Sequence, residues 1–402
     1  MDLLEGRIQT YAWGSRTAIA ELLGLPAPSP GPQAELWFGV HPAAPSRIWR
    51  DGAWHSLPEL VAAGPEAELG SAVVRKFGRS LPFLLKLLAA EEPLSLQAHP
   101  NREQAERGFA ADEAAGIPRD APRRRYRDPN HKPELFCALR PSDALCGFRP
   151  LGDTRRLLRA LEVPSLAPLI STLEKADETA ALRGALGLLL GLGAAERAEL
   201  VGAVRSALGR LDGPDGEFPH EIHWARRLAE RYPEDAGVMV ALLLNLVRLS
   251  PGEAVYLPAG NLHAYLGGVG VEIMASSDNV LRGGLTPKYV DVAELVSILD
   301  FRTVNAQPLL PERGADGEQV YRTPADDFRL SRLDLDSESR FRASVSGPEI
   351  LWCLAGPVSA RPAGGPSLEL GRGQAAFVSA ATERYELRGG GTVFRAAVGS
   401  VA

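Results

Sequence analysis

The chain has 402 residues, 45% hydrophobic and 23% charged, which is the balance of a globular protein and a length that calls for two or three domains. A formal net charge of −6, with no run dominated by Lys or Arg, speaks against a nucleic-acid surface, and the most apolar run, residues 184–193, falls far short of the ~20 residues a membrane span needs. Three cysteines without a CxxC pair exclude a disulfide framework and thiolate zinc; with an N-terminus that lacks a basic segment followed by an apolar run, they predict a protein of the reducing cytoplasm.

In chain order, residues 1–150 read as short strands joined by turns, with runs such as AELWFGV and RIWR between Pro and Gly punctuation. The one basic cluster, RDAPRRRYRDP at 119–129, reads as a solvated loop. From 151 to 248, Leu and Ala recur at helical spacing through DTRRLLRALE, LAPLISTLEKA, ETAALRGALGLLLGL, AERAELVGAVRSALGRL, HWARRLAERY and GVMVALLLNLVRL, predicting a helical insertion. Residues 250–300 return to strands, and 320–402 are strand-like and Gly-rich. GEAVYLPAGNLH from Gly252 is echoed by GQAAFVSAATER from Gly373, which suggests two related β-domains, the second with Arg384 at the place of His263. The chain is thus predicted to be mainly β with a helical insertion: one β-domain from 1–150 plus 249–300, an all-α module at 151–248, and a second β-domain at 301–402 without metal ligands.

Polar residues at strand spacing carry the chemistry. In PLSLQAHPN, Ser95, Gln97 and His99 alternate with Leu94, Leu96 and Ala98, so the three share one face of a strand. In YRDPNHKPELFCAL, Lys132 and Glu134 share a parity across Pro133, which fits the start of a strand. GEAVYLPAGNLHAY places His263 after a Pro–x–Gly turn, and this spacing resembles the second sequence motif of the cupins, a double-sheet jelly roll. Gln97 and His99 can reach one metal, with Glu134 and His263 completing an N/O set that suits Zn²⁺ and also Fe²⁺, Mn²⁺ or Co²⁺. In GVGVEIMASSDNVLRGGLTPKYVDV, Glu272 lies opposite the parity of Val269, Val271 and Ile273, and Arg282 and Lys288 flank Gly283 and Gly284 as cations able to meet a phosphate. HEIHW at 220–224 lacks the second His of a zincin and reads as a helix start, while His41 reads as a turn brace and Cys137 and Cys146 as core.

Taken together, YAWGS, ELWFGVHPAAPS, PFLLKLL, PLSLQAHPN, DPNHKPELFCAL, GEAVYLPAGNLHAY and DNVLRGGLTPKYVDV resemble, in the same order, the blocks of the type I phosphomannose isomerases, zinc enzymes of the cupin superfamily. The resemblance covers residues 11 to about 300 and implies a cupin jelly-roll catalytic domain with a second, cupin-like β-domain. It places zinc ligands on Gln97, His99, Glu134 and His263, one Zn²⁺ per chain. It places an active-site arginine on Arg282, and further pocket residues on Trp13, Glu35, Lys86, Ser95, Lys132, Tyr265, Glu272 and Lys288. The implied reaction interconverts mannose 6-phosphate and fructose 6-phosphate through a cis-enediol, on the route to GDP-mannose, in a monomer whose partner is a small sugar phosphate. For the general base, Glu272, Lys132, Lys86, His131 and a metal-bound hydroxide are all open, with Glu272 preferred and expected to pair with Lys288. The alternative is a non-catalytic cupin that binds sugar or metal without turnover.

Overall fold

The computed structural model describes residues 1–211 and 216–401. Ten strands make the sheet that carries the polar residues above: β1 (Arg7–Gln9), β2 (Glu35–Phe38), β3 (Phe83–Ala90), β4 (Leu96–Ala98), β5 (Glu134–Ala138), β6 (Ser142–Phe148), β7 (Leu244–Leu249), β8 (Ala254–Leu257), β9 (His263–Ala275) and β10 (Leu281–Gly284). The 13-residue β9 is shared by both halves of this sheet. Its start pairs with β4 and β6, through His263 opposite both Gln97 and Cys146, and its end pairs with β3 from Gly268 and with β5 from Gly270. The register with β6 shifts between Tyr265 and Gly267, and the partner changes between Gly267 and Gly268. Gly268 has φ +123°, and a Cβ there would stand 2.1 Å from Ser142 Oγ, so only glycine fits this corner. The sheet folds over itself, and Ala144, Cys146 and Tyr265 from one half pack against Leu88, Phe136 and Ala138 from the other.

Each outer face is covered. Leu85, Leu87, Val271 and Ile273 pack with Trp352, Phe377 and Phe394 of the C-terminal sheet. Burial on both faces explains why FLLKLLAA is apolar at both parities, with Lys86 the single charge. Leu96, Ala264 and Leu266 pack under Leu182, Leu228 and Val240 of the helical insertion.

That insertion contains the helices Leu151–Ala160, Ala167–Thr172, Glu178–Leu190, Ala194–Leu208, Pro219–Arg231 and Gly237–Ala241. HEIHW opens one of them, as expected, but GVMVALLLNLVRL does not stay helical. Its second half is β7, paired with β6. A short continuous apolar run has no periodicity to separate a buried helix from a buried strand, and the open edge of β6 decides the matter. Residues 1–150 are also more helical than their punctuation suggests. Helices span Ala18–Leu22, Leu57–Ala63, Pro65–Leu69, Ser71–Phe77 and Arg102–Ala114, the last opened by a capping box between Asn101 and Gln104.

Residues 312–397 contribute strands to two sheets, of nine and four strands, closed around Leu351, Val358, Val378 and Leu387. The nine-stranded sheet also takes in Asp2–Glu5 and the hairpin Arg47–Ser56. The two echoed segments are both strand–turn–strand, but their parities differ. His263 is buried whereas Arg384 is exposed, and Tyr385 is the residue that faces inward. A 3-10 turn at Ala380–Thr382 and a left-handed Glu383 (φ +54°) make the difference. No helix of the described residues is long and apolar enough to cross a membrane.

Candidate metal centre and active site

The parity of each strand sets which side chains line the fold of the sheet. On β5, Leu135 and Cys137 face the C-terminal sheet, so Glu134 and Phe136 point inward. The same alternation turns Lys86 of β3, Glu35 and Trp37 of β2, and Tyr265 and Glu272 of β9 to the inner side. Leu96 and Ala98 of β4 face the helices, leaving Gln97 on the other face, opposite His263 and Arg282.

His99, Glu134 and His263 meet there, fully buried, with their ligand atoms all within 4.8 Å of one another. The two imidazole Nε2 atoms lie 3.4 Å from the two carboxylate oxygens of Glu134. Even so, His99 Nε2, His263 Nε2 and Glu134 Oε2 are buried without a hydrogen-bond partner. Leaving three such atoms unpaired costs several kcal/mol in total, which a cation at their centre would remove. The far nitrogens fix the tautomers: His99 Nδ1 donates to the Asn279 carbonyl at 2.7 Å and His263 Nδ1 to the Asn261 carbonyl at 2.9 Å, so both Nε2 lone pairs face inward. Burial and the nearby Lys132 lower the His99 pKa to about 4, keeping the ring a neutral ligand. Burial opposes ionisation of Glu134, but Lys132, its Nζ 3.0 Å away, and the two histidines hold this carboxyl well below the usual range. The donor set therefore fits a divalent transition metal.

Beside it lies a second buried group. Glu272 accepts from Tyr265 OH at 3.0 Å through one oxygen and lies 2.9 Å from Lys86 Nζ through the other. Glu35 is 3.7 Å from the same ammonium and accepts from Trp37 Nε1 at 2.8 Å. Burial raises the Glu272 pKa, against Lys86 and with help from the carboxylates of Glu134 and Glu35. The expected pairing of Glu272 with Lys288 is thus corrected: the partner is Lys86, directly opposite in the register of β3 and β9. Lys288 is exposed, beside Arg282 and Arg127, whose charges, with burial, depress its pKa. The Arg282 side chain makes no ion pair or hydrogen bond among the described residues, and burial and Arg127 lower its pKa. Ser95 precedes β4, half-buried, and Trp13 packs against the inner cluster with Leu94. His131 points elsewhere, to Asp327 at 2.7 Å.

Three features were not anticipated. Arg127 has no signal beyond its place next to the DPNHKPE block. Asn279 is fully buried and ties Arg127, Asp128 and Asn130 to the loop that holds His99. The RRRYR loop is pinned rather than solvated. Arg124 and Arg125 reach Glu113 and Asp112 at the end of the helix Arg102–Ala114, Tyr126 is buried, and its OH donates to Glu294. Two expectations hold as made. His41 braces its turn, accepting from Ala43 N, and also meets Asp278, and Cys137 and Cys146 are buried.

A buried two-histidine, one-carboxylate cluster able to hold a metal ion, inside a folded antiparallel sheet, is the arrangement of a cupin. A family model for the catalytic domain of type I phosphomannose isomerase matches residues 1–151. The mannose-6-phosphate isomerase of Escherichia coli K12 is 41% identical over 397 residues, covering 98% of this chain and 99% of its own. Mannose-6-phosphate isomerase 1 of Arabidopsis thaliana is 34% identical over 340 residues, covering 81% of this chain and 75% of its own. Among solved structures, a variant of phosphomannose isomerase from Salmonella typhimurium matches with a TM-score of 0.92 at 38% identity, over 100% of both chains. A zinc-bound mannose 6-phosphate isomerase matches with a TM-score of 0.90 at 38% identity, over 99% of both. The chain belongs to the mannose-6-phosphate isomerase family, type I.

Proposed function

We propose that this chain interconverts mannose 6-phosphate and fructose 6-phosphate, with one Zn²⁺ held by His99, Glu134, His263 and, as fourth ligand, Gln97. Residues 1–150 plus 249–300 would carry the chemistry, with 151–248 and 301–402 as flanking modules. The observation that carries this reading is the set of three unpaired ligand atoms on His99, Glu134 and His263, next to the buried Glu272–Lys86–Tyr265 group in a chain of this family. A bound Zn²⁺ supplies Lewis-acid stabilisation for negative charge on the sugar oxygens.

The rest falls to the side chains. After ring opening, Glu272 takes the proton from C2, giving a cis-enediol, and returns it to C1 as the hydroxyl proton at O2 is released and one is taken up at O1. Tyr265 and Lys86 hold the two oxygens of Glu272, so the base is oriented before substrate arrives. Its raised pKa brings it closer to the operating pH, as a base for a weak carbon acid requires. Lys132 keeps Glu134 anionic as a ligand, and Arg282 is the second positive partner of the enediol oxygens. Lys288 and Arg127, beside Arg282, meet the phosphate, and Trp13, Glu35 and Ser95 line the sugar's approach.

A coupled assay with mannose 6-phosphate and free mannose, before and after chelation, tests the reading. The expected result is turnover of the phosphorylated sugar only, abolished by chelator and restored by Zn²⁺. Binding of sugar or metal without turnover would instead indicate a non-catalytic cupin.

A further inference from the structure

We infer that Asp235 is a positioning residue for the cationic loop after β10, and that the helical insertion holds this loop in place. The inference rests on the proposed reading of Arg282 and Lys288 as groups that meet the substrate. Asp235 lies in the connection between the helices Pro219–Arg231 and Gly237–Ala241. Its carboxylate accepts from two main chains at once, Thr286 N at 3.0 Å through Oδ2 and Gly237 N at 2.7 Å through Oδ1. Thr286 Oγ1 in turn accepts from Lys288 N at 3.2 Å. Hydrogen bonds thus run from the helical insertion to the backbone of the proposed phosphate-facing lysine.

The backbones are built to meet here. A Cβ on Gly284 would stand 2.6 Å from Gly237 Cα, and a Cβ on Gly237 would stand 2.6 Å from Leu285 N. Gly284 has φ +124°, and Leu285, buried among the helices, has φ +56°, a conformation a leucine keeps only where its surroundings enforce it. A half-open cleft of about 350 Å³, lined by Asp235, Gly284 and Thr286 together with Leu190, Arg197 and Val292, adjoins this contact, so the segment is not packed on every side. The Asp235 bridge therefore sets the position of Thr286. Three neighbouring cations repel one another without an anion, and a loop fixed from behind keeps them assembled until one arrives.

The test compares Asp235→Ala, the isosteric Asp235→Asn and Lys288→Gln in the zinc-loaded full chain. It measures kcat and KM for mannose 6-phosphate, competitive inhibition by inorganic phosphate, and bound metal. In D235A, KM and the phosphate inhibition constant are expected to rise together by about tenfold, as for the loss of charge-assisted hydrogen bonds, with kcat within about twofold and metal content unchanged. D235N keeps an acceptor for one of the two N–H groups and sets an NH2 donor against the other, so the bridge is lost there too; should D235A not fold, D235N carries the test. An unchanged phosphate inhibition constant in the folded Asp235 variants overturns the inference, whether or not kcat or metal content falls. In that case, a raised constant in K288Q leaves the phosphate reading standing, and an unchanged one removes that reading too.

Discussion

Replacing Glu134 by Gln is expected to leave a folded protein that no longer retains metal at micromolar concentration and turns over mannose 6-phosphate about 10³-fold more slowly or worse, since a Lewis acid contributes several kcal/mol to such a barrier and each 1.36 kcal/mol is a factor of ten. Glu134 is the one anion among the three clustered ligands, and its two oxygens lie 3.4 Å from the two imidazole nitrogens. Glutamine keeps the shape but offers one neutral oxygen, and it leaves Lys132, 3.0 Å away, without its counter-ion. Metal analysis after dialysis, with the coupled assay on the same sample, checks this. Wild-type metal content combined with lost activity would move Glu134 from ligand to another role.

The second large effect is expected at Lys86. Its ammonium is buried against Glu272 at 2.9 Å and Glu35 at 3.7 Å, so Lys86→Met leaves two buried carboxylates facing each other without a cation. Removing one partner of a buried pair typically costs about 3–5 kcal/mol, and activity falls as well because Glu272 is held in its neutral form. The pH dependence has a definite sign. Glu272 already has a raised pKa from burial, and without Lys86 it rises further, so the folded variant binds more protons than the unfolded chain. The deficit of K86M relative to wild type is therefore smallest near the ordinary carboxylate value and grows as pH rises toward neutrality. Adding Glu272→Gln to Lys86→Met should recover part of the stability and none of the activity. Denaturant unfolding of wild type, single and double variants at pH 5 and pH 8 reads all of this, and equal losses at both pH values would contradict it.

Much of the site is legible in the sequence because side-chain parity is local information. The spacing of Gln97 with His99 and of Lys132 with Glu134, and the polar position of Glu272 among Val269, Val271 and Ile273, each put a side chain on a definite face of a strand. Pairing across strands is not local. Glu272 has Lys86 opposite it through a register that depends on the Gly267–Gly268 corner, and no spacing within 269–290 reveals this. The same limit hides Arg127, which joins Arg282 and Lys288 only after Asn279 has tied two distant loops together. The strand Leu244–Leu249 was illegible for a different reason: its apolar run is continuous, and the edge of β6 chooses its conformation. In the segment from Gly373 the echo falls on a strand–turn–strand, but one left-handed residue, Glu383, and a 3-10 turn reverse which side chain faces inward.

The account is tested most directly by following hydrogen at the sugar carbons. Zinc-loaded protein is incubated with mannose 6-phosphate in deuterated water, and the product is read by NMR, for wild type and Glu272→Gln. The predicted result is fructose 6-phosphate carrying deuterium at C1, with formation and exchange both slowed by about 10²–10⁴-fold in E272Q, the range of a positioned general base. Metal-loaded wild-type protein that binds mannose 6-phosphate and forms no fructose 6-phosphate would contradict the account, as would an E272Q variant that exchanges at the wild-type rate.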